Sequence, residues 1–487
     1  MAPSVPPGIQ ALINARGGRN YSFQYYRISV LAITFLVYTF YHASRKPASI
    51  VKSILKGDES NDGWEPFNGP DGNSLLGSID VSFLAAYAIG MFFSGHLGDT
   101  LDLRIFLTWG MIGSGLLTCL FGMGYFWDVH DLTFYYSIQI FAGIFQSTGW
   151  PSVVSVMGHW FGKSKRGLIM GIWNAHTSVG NILGTFMASK LLSSGWGNSF
   201  IGPGILMTLC GVLVYFFLAV HPDDVGHGEK SSSSGSADGK KETRKSVGFM
   251  TALRIPGVIA FSLCLFFSKL VAYTFLYWLP FYIRNTPIGG ETLSIQAAGD
   301  LSVLFDIGGV VGGVAAGYLS DRYNARSIVS SGFVLLAIPC LYMYREYGSI
   351  NMSTNIALMM LAGVFVNGPY ALITTAVSAD LGTHESLKGN AQALATVTAI
   401  IDGTGSLGAA VGPALTGWLS QTGDGWDNVF YMLYSAALIA GLLLMRLVIK
   451  EVMHITVENY ESAEREKLLK EVPLLNSMVD SKSYNNI

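Results

Sequence analysis

The sequence predicts an all-α membrane protein of twelve transmembrane helices arranged as two pseudo-symmetric six-helix bundles, and three observations carry that prediction: composition, a series of long apolar runs, and an internal repeat. Half of the 487 residues are hydrophobic and only 13% are charged, about half the charged share of a soluble protein. A bilayer core of roughly 30 Å takes about 20 apolar residues per helix, so the chain has room for about a dozen spans with short loops. The formal net charge of −2, with no basic block long enough to follow a phosphate backbone, sets nucleic acid aside as a partner and leaves the lipid bilayer.

Along the chain, Met1 to Asn20 is polar, carries Arg16 and Arg19, and lacks the apolar core of a cleaved signal peptide. Apolar runs of helical length then lie near 24–44, 76–98, 105–126, 132–157, 167–192 and 199–220. A second set lies near 255–283, 296–319, 327–344, 355–379, 391–420 and 428–449, the last but one weakened by glycine and threonine. Between the two sets, His221 to Met250 contains Ser231-Ser232-Ser233-Ser234-Gly235-Ser236 followed by Lys240, Lys241, Arg244 and Lys245, the composition of a solvated linker. The expected organisation is an N-terminal bundle over 1–220, a cytosolic linker over 221–250, a C-terminal bundle over 251–450 and a cytosolic tail over 451–487. Lys163, Lys165 and Arg166 after the fourth run fall on the linker's side, which matches the positive-inside bias and places both termini in the cytosol.

The repeat is internal and ordered. Gly95-His-Leu-Gly-Asp99-Thr-Leu-Asp-Leu-Arg104 returns as Gly317-Tyr-Leu-Ser-Asp321-Arg322-Tyr-Asn-Ala-Arg326, 222 positions later. Arg166-Gly167 returns as Lys388-Gly389 at the same offset, and Gly195-Trp-Gly-Asn198-Ser-Phe200 is echoed by Gly425-Trp-Asp-Asn428-Val-Phe430. Parallel repeats of this kind place a substrate site between the halves near the membrane midplane. Asp99, Arg104, Asp321, Arg322 and Arg326 are read as gate residues: glycine permits close helix approach, while an aspartate and an arginine can bond across a helix end and to the other bundle.

The chemistry is expected in the ionisable residues inside apolar runs. Lys269 sits in mid-run between Pro256 and Tyr282, where a bare cation costs at least about 2.5 kcal/mol. It therefore faces water, a counter-charge or an anionic cargo, and the cargo is the favoured reading. Tyr273 and Tyr277 extend its helix face. In the first run Tyr38, Tyr41, His42 and Arg45 follow at i, i+3, i+4 and i+7, a polar stripe that suits an aqueous cavity, although Arg45 and Lys46 also suit the far headgroup region. The repeat favours the cavity, because Lys269 lies 224 positions after Arg45. Two facing cations suit a phosphate monoester, with about −1.5 to −2 charge and several strong acceptor oxygens. Asn174, Thr177, Ser178 and Asn181 form a second polar face, and Gln146 and Trp150 are candidates for the same cavity or for packing.

Asp306 and Asp402 also lie in apolar runs, where each can pair with a cavity lysine or carry a proton; pairing is favoured. His176 has no second histidine at ligand spacing, so no metal is expected. The four cysteines read as small core residues. No nucleophile–base motif and no glycine loop for phosphate is present, so neither an enzyme nor a cofactor is expected.

Several strings carry a resemblance: Tyr41-His-Ala-Ser-Arg45-Lys46-Pro47, Gly149-Trp-Pro151, Trp160-Phe-Gly-Lys-Ser-Lys-Arg166-Gly167, Trp173-Asn174 and Asn367-Gly-Pro369. Through them almost the whole chain resembles the organophosphate:phosphate antiporter family of the major facilitator superfamily. Pro66-Phe-Asn-Gly-Pro-Asp-Gly72 and Phe267-Ser-Lys269-Leu-Val-Ala-Tyr273 make it most similar to plant glycerol-3-phosphate permeases, and nearly as similar to animal sugar-phosphate exchangers. The resemblance implies the major facilitator fold, and it implies that Arg45 and Lys269 hold the two phosphate-clamping positions, with Tyr38 and Gln146 lining the site. Two positions depart from the bacterial glycerol-3-phosphate carrier: its histidine in the fifth span falls on Thr177, one residue after His176, and its lysine in the second span falls on Met91.

The expected function is exchange of a phosphorylated metabolite, glycerol 3-phosphate or a hexose phosphate such as glucose 6-phosphate, for inorganic phosphate by alternating access. A proton-coupled organic-anion symporter using Asp306 or Asp402, and a non-transporting sugar-phosphate sensor, are the alternatives. Glu464-Arg-Glu-Lys-Leu468-Leu469 has the form of an acidic dileucine sorting signal, with a turn of amphipathic helix as the favoured reading. Endoplasmic reticulum, endolysosomal membrane and plasma membrane all stay open.

Overall fold

A computed structural model describes residues 5–57, 62–162, 166–227, 248–382, 394–422 and 425–457. The described residues are almost entirely helical. After the short α1 (Pro7–Ala15) come α2 (Phe23–Lys56), α3 (Gly72–Thr100), α4 (Leu103–Phe126), α5 (Leu132–Gln146), α6 (Gly149–Trp160), α7 (Arg166–Trp173), α8 (His176–Leu191) and α9 (Trp196–Phe217). The short α10 (Phe249–Leu253) leads to α11 (Val258–Asn285), α12 (Ile295–Tyr323), α13 (Arg326–Tyr347), α14 (Met352–Leu372), α15 (Ser378–Gly382), α16 (Leu394–Leu419) and α17 (Gly425–Leu443), and helix continues over 445–457.

Helix starts follow the side chains that precede them. Ser22, Asp102, Asp131, Ser294 and Asn351 each accept a hydrogen bond from a backbone N–H of the first turn of α2, α4, α5, α12 and α14, satisfying donors that would otherwise be orphaned. Gly57 ends α2 with φ of 75°, a conformation that favours glycine.

Nine of these helices, counting α14 with α15 as one, are long and apolar enough to cross a membrane. Three expected segments fall outside that number for visible reasons. The first, near 24–44, belongs to α2, whose 34 residues carry Arg45, Lys46 and Lys52 in buried positions. The fourth is divided at Ser147 and Thr148 into α5 and α6, where Pro151 has no N–H to give and its ring crowds the carbonyl four residues back. The fifth is divided at Asn174 and Ala175 into α7 and α8.

The packing is duplicated. In the first part of the chain α2 lies on α8, α3 on α5 and α4 on α9; in the second, α11 lies on α16, α12 on α14 and α13 on α17. Between them, α3 runs along α16, α7 and α8 lie on α12, and α2 crosses α11. Small residues allow the close seams: a Cβ on Gly408 would sit 1.9 Å from the carbonyl oxygen of Phe266, so α16 touches the backbone of α11 there.

The long seam between α3 and α16 is shut near both of its own ends. Where α3 finishes, a Cβ on Gly98 would be 3.7 Å from that of Ala395. Where α3 begins, a Cβ on Gly77 would be 3.8 Å from Trp278 and 3.9 Å from Gly417.

Candidate functional site

Arg45 lies two-thirds of the way along α2 and is buried between the halves. Its Nε donates to Gln146 Oε1 at 2.8 Å, and Gln146 in turn donates to Ser44 Oγ at 3.0 Å. One terminal nitrogen, Nη1, donates to the Tyr273 hydroxyl at 3.2 Å. The guanidinium stands 4.9 Å from the ring centre of Tyr87 and 5.6 Å from that of Phe83. The other terminal nitrogen, Nη2, is buried without a hydrogen-bond partner. Among the described residues no carboxylate comes within ion-pair distance of Arg45. An unsatisfied buried donor on a charged group is costly, and a guanidinium fork with one free prong is built for an oxyanion.

Lys269 is different. Its Nζ lies 2.6 Å from Asp402 Oδ1 and 3.3 Å from Ser406 Oγ, both on α16. Of the two facing cations, Lys269 has its counter-charge inside the protein rather than standing open to cargo, which agrees with the favoured pairing of Asp402 with a cavity lysine: the tight α11–α16 seam brings Asp402 against Lys269. The two cations do converge, since Lys269 Nζ stands 5.7 Å from the ring centre of the same Tyr273 that Arg45 engages. Asp402 Oδ2 accepts from the Tyr87 hydroxyl at 3.4 Å, which closes a ring of contacts running from Arg45 through Tyr273, Lys269, Asp402 and Tyr87.

Beside this ring lies a cavity of about 20 Å³ that His42, Lys46, Thr177, Asn181, Asp306 and Tyr370 help to line. Asn181 joins its two sides: its amide donates to Asp306 Oδ1 at 2.7 Å, and its Oδ1 faces His42 Nδ1 at 3.2 Å. Lys46 Nζ donates to the carbonyl of Leu276 at 3.4 Å. That carbonyl has no helical N–H to meet, because the residue four ahead is Pro280. A second cavity of about 20 Å³ lies on the other side of Arg45, with Asp80, Gln146 and Tyr277 in its wall. Each has room for about one water, far below the several hundred cubic ångströms of a typical ligand pocket.

The remaining expected residues divide. Asn174 and Ser178 line a third small cavity with Asn367 and Tyr370. Tyr38 belongs to an aromatic cluster, with ring centres 4.7 Å from Trp150 and 5.0 Å from His176. Tyr41 packs on Gly149, and neither tyrosine lines any of these cavities. Met91 is sealed against Gly403 of α16, an apolar contact.

The expected gate residues lie where α3 and α12 finish, away from the cavities. Asp99 accepts from the backbone N–H of Ala395 at 3.3 Å and of Thr396 at 3.0 Å, and from Thr396 Oγ1 at 2.5 Å. Asp321 accepts from the backbone N–H of Leu168 at 2.7 Å. Each aspartate of the repeat thus caps a helix start in the other half, where a negative charge is favourable. Arg326 holds Asp321 at 2.8 Å and Asp380 at 3.1 Å. Arg104 is buried near its own helix cap, Asp102, and Arg322 is exposed, donating to Tyr318 on its own helix at 3.0 Å.

Sequence reasoning missed the ion pair of Lys52 and Asp80, both buried. Lys52 also stands 5.2 Å from the ring centre of Tyr277 and 5.1 Å from that of Trp278 on α11. A signal was present, since both are charges within long apolar helices. Lys163, Lys165, Lys388, Gly389, most of the linker and the dileucine-like string lie outside the described residues.

A family model described as Major Facilitator Superfamily matches residues 34–295 and 288–477. A protein of Arabidopsis thaliana, named as a candidate glycerol-3-phosphate transporter and numbered 4, is 55% identical over 92% of this chain and 94% of its own. The glucose-6-phosphate exchanger SLC37A2 of Bos taurus is 50% identical over 88% of this chain and 95% of its own. Among solved structures, the transporter FucP in its outward conformation aligns with a TM-score of 0.58 at 12% identity, covering 86% of this chain and 99% of its own. A bacterial homologue of the human lysosomal transporter Spinster, inward-facing, aligns at 0.55 and 15% identity, covering 89% of this chain and 96% of its own.

Proposed function

The chain belongs to the major facilitator superfamily, a family of multi-pass membrane transporters, and on that premise we propose that it exchanges a phosphorylated metabolite for inorganic phosphate. The relatives are named for glycerol 3-phosphate and for glucose 6-phosphate, cargoes whose shared part is a phosphate monoester. The observation that carries the reading is the Arg45 guanidinium, buried between the halves with Nη2 unpartnered and no carboxylate partner among the described residues. A phosphoryl oxygen supplies what this group lacks. The organic half of the cargo then meets the polar wall made by Thr177, Asn181 and Asn174, with Lys46, His42 and Tyr273 within the same region.

We read the helices as twelve spans in two bundles of six, over 1–220 and 251–450, with 221–250 as linker and 451–487 as tail. An even number of spans puts both termini on one side, and the arginines and lysines of the N-terminal segment and linker favour the cytosol. The membrane is an endomembrane or the plasma membrane.

Alternating access follows from the closed seams. Cavities of about 20 Å³ cannot admit a hexose phosphate, so cargo enters only when one end parts. Parting at the Asp99 and Asp321 end releases two helix caps, whereas parting at the other end separates Lys52 from Tyr277 and Trp278. An empty carrier keeps an unmatched guanidinium in a shut, low-dielectric centre, which disfavours empty return and enforces exchange.

The test is uptake of labelled phosphate into proteoliposomes loaded with phosphate, glycerol 3-phosphate, glucose 6-phosphate or nothing. Uptake that requires an internal phosphorylated compound and is lost in Arg45→Ala supports the exchanger. Uptake driven by a pH gradient into empty vesicles would overturn it in favour of a proton-coupled carrier, and binding without uptake in favour of a sensor.

A further inference from the structure

Helix α13 starts without a cap of its own. Its N-cap residue is Ala325, which has no side-chain acceptor, so the local sequence leaves the first N–H groups of the helix orphaned. The repeat shows what is missing. Asp102 accepts from the backbone N–H groups of Arg104 and Ile105 at the start of α4, but 222 positions later stands Asn324, which instead ends α12 in the left-handed region with φ of 49°.

The acceptor for α13 comes from the far side of the last span. Glu451, on the helix over 445–457, accepts from the N–H of Ser327 at 2.9 Å to each carboxylate oxygen, from the N–H of Ile328 at 3.0 Å and from Ser327 Oγ at 2.8 Å. A carboxylate in this place also meets the positive end of the helix dipole. The helix that carries it is seated on the protein, with Leu447 and Val448 packed against the buried core that includes Val334, Leu341 and Leu444.

We propose that Glu451 is a positioning residue for the closed state of the Asp99 and Asp321 end, so that the segment after the last span sets how firmly that end shuts. The inference rests on the alternating-access part of the reading above and is indifferent to the cargo. Arg326 is the first residue of α13, directly before the two N–H groups that Glu451 holds. Its guanidinium reaches Ser320 Oγ at 2.5 Å and Asp321 Oδ1 at 2.8 Å on α12, and Asp380 at 3.1 Å on α15. Asp321 turns its other oxygen to the N–H of Leu168 on α7, in the opposite half. Glu451 thus fixes the turn from which Arg326 reaches, Arg326 fixes Asp321, and Asp321 makes a contact that breaks when this end parts. In the first half the equivalent turn is held by Asp102 nearby, so Glu451 acts through the Asp321 cap and not through the Asp99 cap.

The experiment is the rate at which a water-soluble maleimide labels Ala395→Cys in the full chain, corrected for labelling of the protein without that change. Ala395 is sealed from solvent at the other seam between the halves, its Cβ 3.7 Å from where a Cβ on Gly98 would lie, so a thiol there is reached when this end opens. With opening fast relative to labelling, the rate follows the open fraction. Glu451→Gln keeps the size of the side chain, loses the charge and turns an amide donor on the helix start; it should speed labelling about fivefold, the scale of a lost cap. Asp321→Asn should speed labelling too, and Glu451→Gln should then add nothing further. In Asp99→Asn the effect of Glu451→Gln should multiply in full. A merely structural Glu451 would act equally in every background. An unchanged or slower rate in Glu451→Gln would overturn the proposal, as would an effect that multiplies in Asp321→Asn or vanishes in Asp99→Asn. If Glu451→Gln does not fold, Ser327→Ala, which removes the hydroxyl that donates to Glu451, takes its place in the same comparison. Phosphate counterflow by the wild type is measured in parallel: its absence removes the cargo reading alone, because labelling reports opening whatever is carried.

Discussion

Lys269 Nζ stands 2.6 Å from Asp402 Oδ1, with both side chains all but sealed from solvent. Each holds the other's charge in a place where neither could stay alone. Removing one partner of a buried pair typically costs about 3–5 kcal/mol, while replacing both by apolar groups of similar volume is often near neutral. Asp402→Leu is accordingly expected to lower the unfolding temperature of the purified protein well below that of Lys269→Met/Asp402→Leu. Thermal unfolding in one detergent, with all variants side by side, checks this. A single variant as stable as wild type would mean that the contact with Asp402 does not hold this seam together.

Arg45 makes the opposite prediction, because its free prong contributes nothing to the resting fold. A charge-assisted hydrogen bond is worth about 1.5–3 kcal/mol, so Arg45→Lys, which keeps the charge but loses the fork, should raise KM for phosphate about tenfold or more. Arg45→Ala should abolish exchange while leaving the unfolding temperature within a few degrees of wild type or above it. Gln146→Leu strips the acceptor from Nε and should fall between the two. Equal KM values for wild type and Arg45→Lys would show that the anion sits elsewhere.

The sequence made much of this legible, and the part it hid has a physical reason. A charge at mid-run is visible from spacing alone, which is how Arg45, Lys46, Lys269, Asp306 and Asp402 were found. Which carboxylate meets which cation depends on the rotation and depth of helices far apart in sequence, and spacing along one helix carries no information on that. Spacing favours pairing of Asp402 with a cavity lysine without saying which, and the packing of α16 on α11 makes it Lys269. The repeat marks Asp99, Arg104, Asp321 and Arg326 as residues that bond across a helix end and to the other bundle: Asp99 reaches α16 and Asp321 reaches α7, Arg326 holds Asp321, and Arg104 lies instead near its own helix cap, Asp102. Lys52 lies beyond the first apolar run, which ends near residue 44 in the sequence, whereas α2 continues to Lys56 past Pro47.

Gly408 tests the seam that makes the Lys269–Asp402 contact possible. A Cβ there meets the Phe266 carbonyl at 1.9 Å, a backbone atom that cannot step aside, so Gly408→Ala must separate α16 from α11. Overpacking of this kind costs about 1–3 kcal/mol, and the separation should also weaken exchange. Gly332, with nothing within 4 Å of its would-be Cβ, is the control; Gly332→Ala should not be destabilised and gains helix propensity. Thermal unfolding and counterflow on both variants decide it, and equal behaviour would show that the two helices do not touch at Gly408.

Alternating access requires the end where α3 finishes to part, and the geometry there offers a direct lock. The would-be Cβ of Gly98 lies 3.7 Å from that of Ala395, close to the spacing of about 3.8 Å that a disulfide prefers. In Gly98→Cys/Ala395→Cys, oxidation should stop exchange and reduction should restore it, because α3 and α16 belong to opposite halves. The caps set how often this end is shut. Asp99 accepts three hydrogen bonds from Ala395 and Thr396 and Asp321 one from Leu168, so Asp99→Asn in the same background should favour the open state and slow formation of the cross-link, on the order of tenfold for the loss of about 1.4 kcal/mol. Full exchange by the oxidised double-cysteine protein would mean that this seam never opens during transport. An unchanged cross-linking rate in Asp99→Asn would mean that the capping bonds do not govern the closed state, leaving helix packing alone to hold it.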